Sequence, residues 1–401
     1  MITTRRQFLV GGLQVAAAVP LTARLGAAPA APSGNGDEGD RVLVVLQLSG
    51  GNDGLNTVVP HRQDAYFRQR PTLALGRGSL HALDDDHGLH PELRPIGELY
   101  DEGRVTVVHG VGYPEPNRSH FRSMEIWHTA DPVNPPGETG WMGRLADQVA
   151  TRRPGSMAAL HVGAGDLPLA LYGRQYFTPT VRDARGFRLK ELEAPFAELR
   201  GELLARGGRD APTPDLGFLR EAARATYRAA ERMASLADAE SPVNYPGGGL
   251  SQRLRLVARL ITGGFGTRLF HVALDGFDTH SAQGPTHAAL LAELGGALRA
   301  FQRDLEHHGA ARRVTTFVFS EFGRRVRENG SKGTDHGAGA PCFLVGGALR
   351  GGLLGTPPDL ERLEEGDVPH GTDFRSLYTA LERDWMGLSP STGSSAAPLF
   401  A

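Results

Sequence analysis

Continuous apolar runs, not alternating ones, punctuate this chain, and most are followed at once by glycine with acidic, hydroxyl or imidazole residues. Arg41–Leu48 (RVLVVLQL), Val105–Val108, Thr267–Leu274 (TRLFHVAL) and Val314–Phe319 are short and rich in β-branched side chains. That composition predicts strands buried on both faces. Cys342–Val345 is one more such run. Between them the spacing changes to the helical period. PELRPIGELYDEG, LSQRLRLVARLI and Thr286–His308, with Leu290, Leu294, Leu298 and Phe301 on one side, predict helices. Asn117 or Ser119 would cap a further helix carrying Phe121, Met124 and Trp127 on one face. Strand and helix alternate without an internal repeat. The expected fold is therefore α/β, a three-layer α/β/α sandwich around a mostly parallel sheet. Residues from about 175 to 250 depart from this pattern, with helical spacing, many Ala, Arg and Glu residues and no strand. They are expected to form a helical insertion within a domain spanning 34–401.

The N-terminal segment belongs to no strand or helix of that domain. Thr3-Thr4-Arg5-Arg6-Gln7-Phe8-Leu9 resembles a twin-arginine export signal, followed by a mildly apolar stretch, Val10–Leu21, and Ala-rich candidate cleavage sites. Residues 1–33 are read as signal and linker. The expected location is periplasmic or extracellular, with the twin-arginine translocase as a partner during export. The apolar stretch is too short and weak for a stable membrane span. A net charge of -2 gives no basic field for nucleic acid. The one cysteine, Cys342, excludes an internal disulfide and any cysteine-based zinc site.

Chemistry gathers where the predicted strands end. Asn52 and Asp53 follow the first, and Ser119 and His120 follow the second. Asp275, Asp278 and His280 follow the third; Glu321, then Asp335 and His336, follow the fourth. Open α/β sheets bind ligands at the carboxyl ends of their strands. Carboxylates with imidazoles there suit a divalent ion such as zinc, manganese or calcium.

The succession LVVLQLSGGNDGLNTVVP, PNRSHF, DGFDTH and SEFGRR…GTDHG…CFLVGG, closing on DFRSLYTALERDWMG, resembles the domain-of-unknown-function 1501 family. That family is similar to the alkaline phosphatase and sulfatase superfamily. The resemblance implies an alkaline phosphatase-like fold and one or two divalent metal ions. Asp278 (or Asp275), His280 and His336 resemble the ligands of the first metal, and Glu321 an acidic ligand of the second. Asp335 lies in the same motif as His336. Ser119, with His120 beside it, resembles the catalytic hydroxyl.

Two departures stand out. The first strand ends in Ser49-Gly50-Gly51 where the superfamily has a metal-binding Asp, so Asn52 or Asp53 would substitute from a shifted position. Phe322, not His, follows Glu321. Two functions follow. One is an exported metal-dependent hydrolase of small or polymer-borne phosphate or sulfate esters, using Ser119 or a metal-bound water. The other is a non-catalytic binding or assembly protein at the cell surface on a degraded scaffold of this type.

Overall fold

The computed structural model describes residues 40–134, 137–182 and 241–401, with scattered positions between 198 and 236. The proposed export signal and most of the proposed insertion lie outside the described residues. The chain divides into two units, 35–183 with 239–401, and 1–34 with 184–238. Everything that follows concerns the first.

The described strands are, in chain order, β1 Val42–Ser49, β2 Val58–Val59, β3 His81–Ala82, β4 Gly88–Leu89, β5 Val105–Gly112 and β6 Ala159–Val162. They continue with β7 Thr180–Val181, β8 Leu269–Asp275, β9 Val314–Ser320, β10 Ala340–Gly346, β11 Gly352–Leu354 and β12 Thr372–Asp373. The main sheet has the order β11-β5-β10-β9-β1-β8-β6-β7, with β12 added beside β5, and a small sheet has the order β2-β4-β3. β1 pairs in parallel with both β8 and β9. Among the described strands of the main sheet, β10 alone runs against its neighbours, β9 and β5. The sheet is thus mixed and mostly parallel, as expected.

Its two faces are covered separately. Leu43 and Val45 of β1 join Phe317 and Phe319 of β9 in one core with Ile126, Trp127, Trp141, Phe374 and Tyr378. Trp127 stacks on Phe319 at 4.9 Å and on Phe374 at 4.4 Å. Val44 and Leu46 point the other way by the two-residue period and are also fully buried. Helices Gly249–Thr262 and Gln283–His307 pack on each other, and Gly249–Thr262 also packs on β8. Cys342 lies buried in β10, and burial pushes its thiol well up, which makes it unreactive.

Three local expectations change. β5 runs on to Gly112, past Val108, because β12 pairs with Val111 and Gly112 at its far end. The segment His81–His90, whose residue pattern predicts only a loop leading into helix Arg94–Asp101, supplies β3 and β4. Helix His120–Thr129 buries Ser123, Ile126, Trp127 and His128. Phe121 lies on its other side and is 87% exposed.

Candidate metal centre

Parallel pairing fixes where the loops meet. Ser49 of β1 lies opposite Asp275 of β8, and Leu48 opposite Ser320 of β9. The loops that leave these three strands therefore crowd one spot. Gly50 and Gly51 make the crowding possible, with φ of 118° and 74°. A Cβ on Gly50 would overlap the backbone nitrogen of Asp278, and one on Gly51 would overlap the Phe322 ring.

Arg324 then ties the loops together. Its fully buried guanidinium donates to the carbonyls of Gly51 (2.6 Å), Thr334 (2.8 Å), Phe277 (3.0 Å) and Gly50, and to Asp278 Oδ1 at 2.7 Å. Asp335-His336 returns beside it through an antiparallel bridge between Arg324 and His336. Helix His120–Thr129 completes the group: Trp127 anchors it in the core and its first residue, His120, faces the loops.

His120, Asp278 and His336 offer donor atoms that all lie within 4.8 Å of one another. Asp278 Oδ1 is the centre. It lies 3.2 Å from His336 Nε2, 3.0 Å from His280 Nε2 and 3.3 Å from His120 Nε2. His280 Nε2 and His336 Nε2 are 2.9 Å apart.

The opposite ring nitrogens decide what those atoms are. His336 Nδ1 faces the Arg118 carbonyl at 2.7 Å, His280 Nδ1 faces Asp335 Oδ1 at 3.1 Å, and His120 Nδ1 faces Glu321 Oε1 at 2.8 Å. A carbonyl or carboxylate oxygen can only accept, so each Nδ1 carries the proton. In the neutral rings each Nε2 is then a bare lone pair. Three lone pairs and a carboxylate oxygen converge on one another. His120 Nε2 is buried with no hydrogen-bond partner. Apart from Arg324, which donates to Asp278 Oδ1, the set lacks a donor and matches the acceptors that surround a transition-metal ion.

The charges agree. Burial works to raise the Asp278 pKa, but Arg324, by its hydrogen bond and its charge, outweighs it and holds the carboxyl at about 2. Burial lowers His336, favouring the neutral, ligating ring. The hydrogen bond to Glu321 raises His120. Glu321 is itself buried, accepts from the Gly50 N–H at 2.9 Å, and has Ser320 Oγ 3.1 Å from its other oxygen.

The remaining expected site residues fall into four positions. Glu321 and Asp335 orient histidines from behind. Asp275 ends β8 with an exposed side chain. Asp53 lies in the core, where it caps helix Gly54–Thr57 and pairs with Arg70 at 2.5 Å. That guanidinium and the Gln283 amide both donate to Asp53 Oδ2 and occupy the oxygen that a metal would need. Asn52 likewise accepts from His287 and Thr57. Ser119 occupies the N-cap position of helix His120–Thr129, exposed, and its side chain makes no capping hydrogen bond.

Sequence reading gave Arg324 no structural part, because an arginine among several in a polar loop carries no mark of burial. Phe121, Met124 and Glu125 were also missed as site residues. They line an open cleft of about 460 Å³ together with His120, Asp278 and Glu321.

Fold and site together define an α/β protein with a histidine–carboxylate cluster of metal-ligating type at the mouth of its sheet. The chain belongs to the family described as "Protein of unknown function (DUF1501)", which matches residues 106–394. No curated protein matches it. Solved structures similar to it belong to the alkaline phosphatase and sulfatase superfamily. The murine ectonucleotide pyrophosphatase/phosphodiesterase 5, in complex with AMP, is 9% identical with a TM-score of 0.40, over 89% of this chain and 97% of that one. The PsFucS1 sulfatase from Pseudoalteromonas sp. is 12% identical with a TM-score of 0.36, over 87% and 68%. An alkaline phosphatase superfamily protein from Vibrio parahaemolyticus is 12% identical with a TM-score of 0.32, over 77% and 60%. Likeness at this level assigns no activity to the chain.

Proposed function

We propose that this protein is a metal-dependent hydrolase of phosphate or sulfate esters. The observation that carries the reading is the convergence of three Nε2 lone pairs on Asp278 Oδ1, each fixed by a carbonyl or carboxylate at Nδ1. His120, Asp278 and His336 would hold the ion, with His280 as the further imidazole. An imidazole-rich set favours zinc over manganese or calcium, which prefer oxygen ligands. When bound, such an ion polarises an ester oxygen and lowers the pKa of a coordinated water.

The protein's own part is to hold the imidazoles neutral and oriented. Glu321 and Asp335 keep the Nδ1 protons of His120 and His280, and the Arg118 carbonyl keeps that of His336. Ser119, immediately before His120, is the candidate nucleophile on the chain. Zinc-loaded protein should turn over aryl phosphate or sulfate esters. His336→Ala should remove both the ion and the activity. Ser119→Ala should lower kcat at least 100-fold if the hydroxyl attacks, and leave it nearly unchanged if water does. Turnover that survives His336→Ala in metal-free protein would sink the reading.

A second reading rests on Arg324, whose guanidinium at 2.7 Å already balances Asp278 without an ion. A non-catalytic binding protein would then take up no stoichiometric zinc. Metal analysis of protein folded in its host separates the two. For export, Arg5→Lys/Arg6→Lys should retain the precursor in the cytoplasm, and unchanged export would refute the twin-arginine reading. Residues from about 175 to 250 are proposed as a helical insertion, to be checked by circular dichroism of the chain with and without them.

A further inference from the structure

The helix that contributes His120 continues directly into an exposed aromatic. Phe121 is 87% exposed although its neighbours Ser123, Ile126 and Trp127 are buried. An isolated surface phenylalanine needs no explanation, but this one lines the same open cleft as His120, Asp278 and Glu321. Met124 lies beside it, one turn further along the helix. Among the described residues that line the cleft there is no lysine or arginine, and Glu125 adds a carboxylate at the same wall. Glu125 is itself paired with Arg122 at 3.6 Å, so the wall next to the donor cluster is apolar with a neutralised rim. An ester whose organic part were a polyanion would find no unpaired positive charge on it.

We infer that Phe121 and Met124 form a subsite for an uncharged ring on the organic side of the ester, with the ring stacked on Phe121. This rests on the metal-dependent hydrolase reading and narrows its substrate class to ring-bearing esters without further negative charge. A ring face over an aromatic side chain gains area and quadrupole contact that an alkyl group lacks. Phe121 holds up nothing in the core, so changing it should alter ligand preference and leave folding intact.

The test uses zinc-loaded full-length protein and non-hydrolysable anions, so that leaving-group chemistry plays no part. Benzylphosphonate and methylphosphonate, and the two corresponding sulfonates, are titrated by calorimetry. The benzyl compound of the favoured anion should bind at least tenfold more tightly than the methyl compound. Phe121→Ala should bring that ratio to about one with an unchanged Tm, and Phe121→Tyr should restore it. 4-Carboxybenzylphosphonate should bind more weakly than benzylphosphonate, with Glu125→Gln reducing the difference. A benzyl preference that persists in Phe121→Ala, or is absent from the wild type while both anions bind, overturns the subsite and leaves the hydrolase reading standing. If neither anion type binds the zinc-loaded protein, the hydrolase reading fails and the subsite falls with it.

Discussion

Arg324 concentrates more of the site's geometry than any single ligand does. Its five contacts bridge the loops after β1 and β8 and the loop before His336. Removing a buried charged group with paired neighbours typically costs about 3–5 kcal/mol. Arg324→Ala should destabilise the protein by about that amount in urea titration, and Arg324→Lys by less, since an ammonium cannot reach carbonyls on several sides at once. A change under about 1 kcal/mol for the alanine variant would show that the loops hold without it. Glu321 acts through His120, to which it is bound at 2.8 Å. Replacing such an outer partner commonly weakens metal affinity 10–100-fold. Glu321→Gln should therefore raise the zinc Kd by about tenfold in a chelator competition, and an unchanged Kd would exclude His120 from the ligand set.

At the scale of elements, the site exists because three parallel strands end side by side and their loops can touch. Gly50 is one of the tight points, with φ of 118° and the Asp278 backbone where a side chain would be. Gly50→Ala should push the β1 and β8 loops apart. Zinc binding should fall by at least tenfold while far-UV circular dichroism stays unchanged, because β1 itself is held by β8 and β9 over its whole length. Zinc affinity equal to wild type would mean the loop approach is not required. Helix His120–Thr129 plays the complementary part: Trp127 fixes it in the aromatic core, and that anchorage sets where His120 and Phe121 stand.

For the whole molecule, the buried histidines dictate a response to acid. Burial pushes His109, His128, His161 and His287 down to about 4, and His271 well below 6.5. In the unfolded chain they protonate near 6.5. Between about 6.5 and 4 the unfolded state thus binds more protons, so stability falls as pH drops through that window. Each fully depressed histidine contributes a slope of about 1.4 kcal/mol per pH unit there. Tm should be flat above pH 7 and fall steeply below about 6, and His161→Gln should shallow the fall. A Tm independent of pH down to 5 would contradict these protonation states.

The apolar runs by themselves determined the strands at the heart of the sheet, because a segment buried on both faces must be apolar at every position. β1, β8 and β9 lie within a residue or two of where the pattern puts them. The same logic marked the strand ends as the place for chemistry, and Asp278, His280 and His336 do come together there. What the tertiary structure decided is which polar residues face one another. Asp53 and Asp278 are both acidic residues just past a strand, yet one is consumed by Arg70 in the core and the other faces three imidazoles. No sequence period encodes that difference, since it depends on partners from distant segments. Arg324 and Phe121 carried no such mark, and Glu321, expected as a metal ligand, stands behind His120 instead, for the same reason: burial, orientation and exposure at a loop are set by what packs across from it, and only the folded chain supplies that.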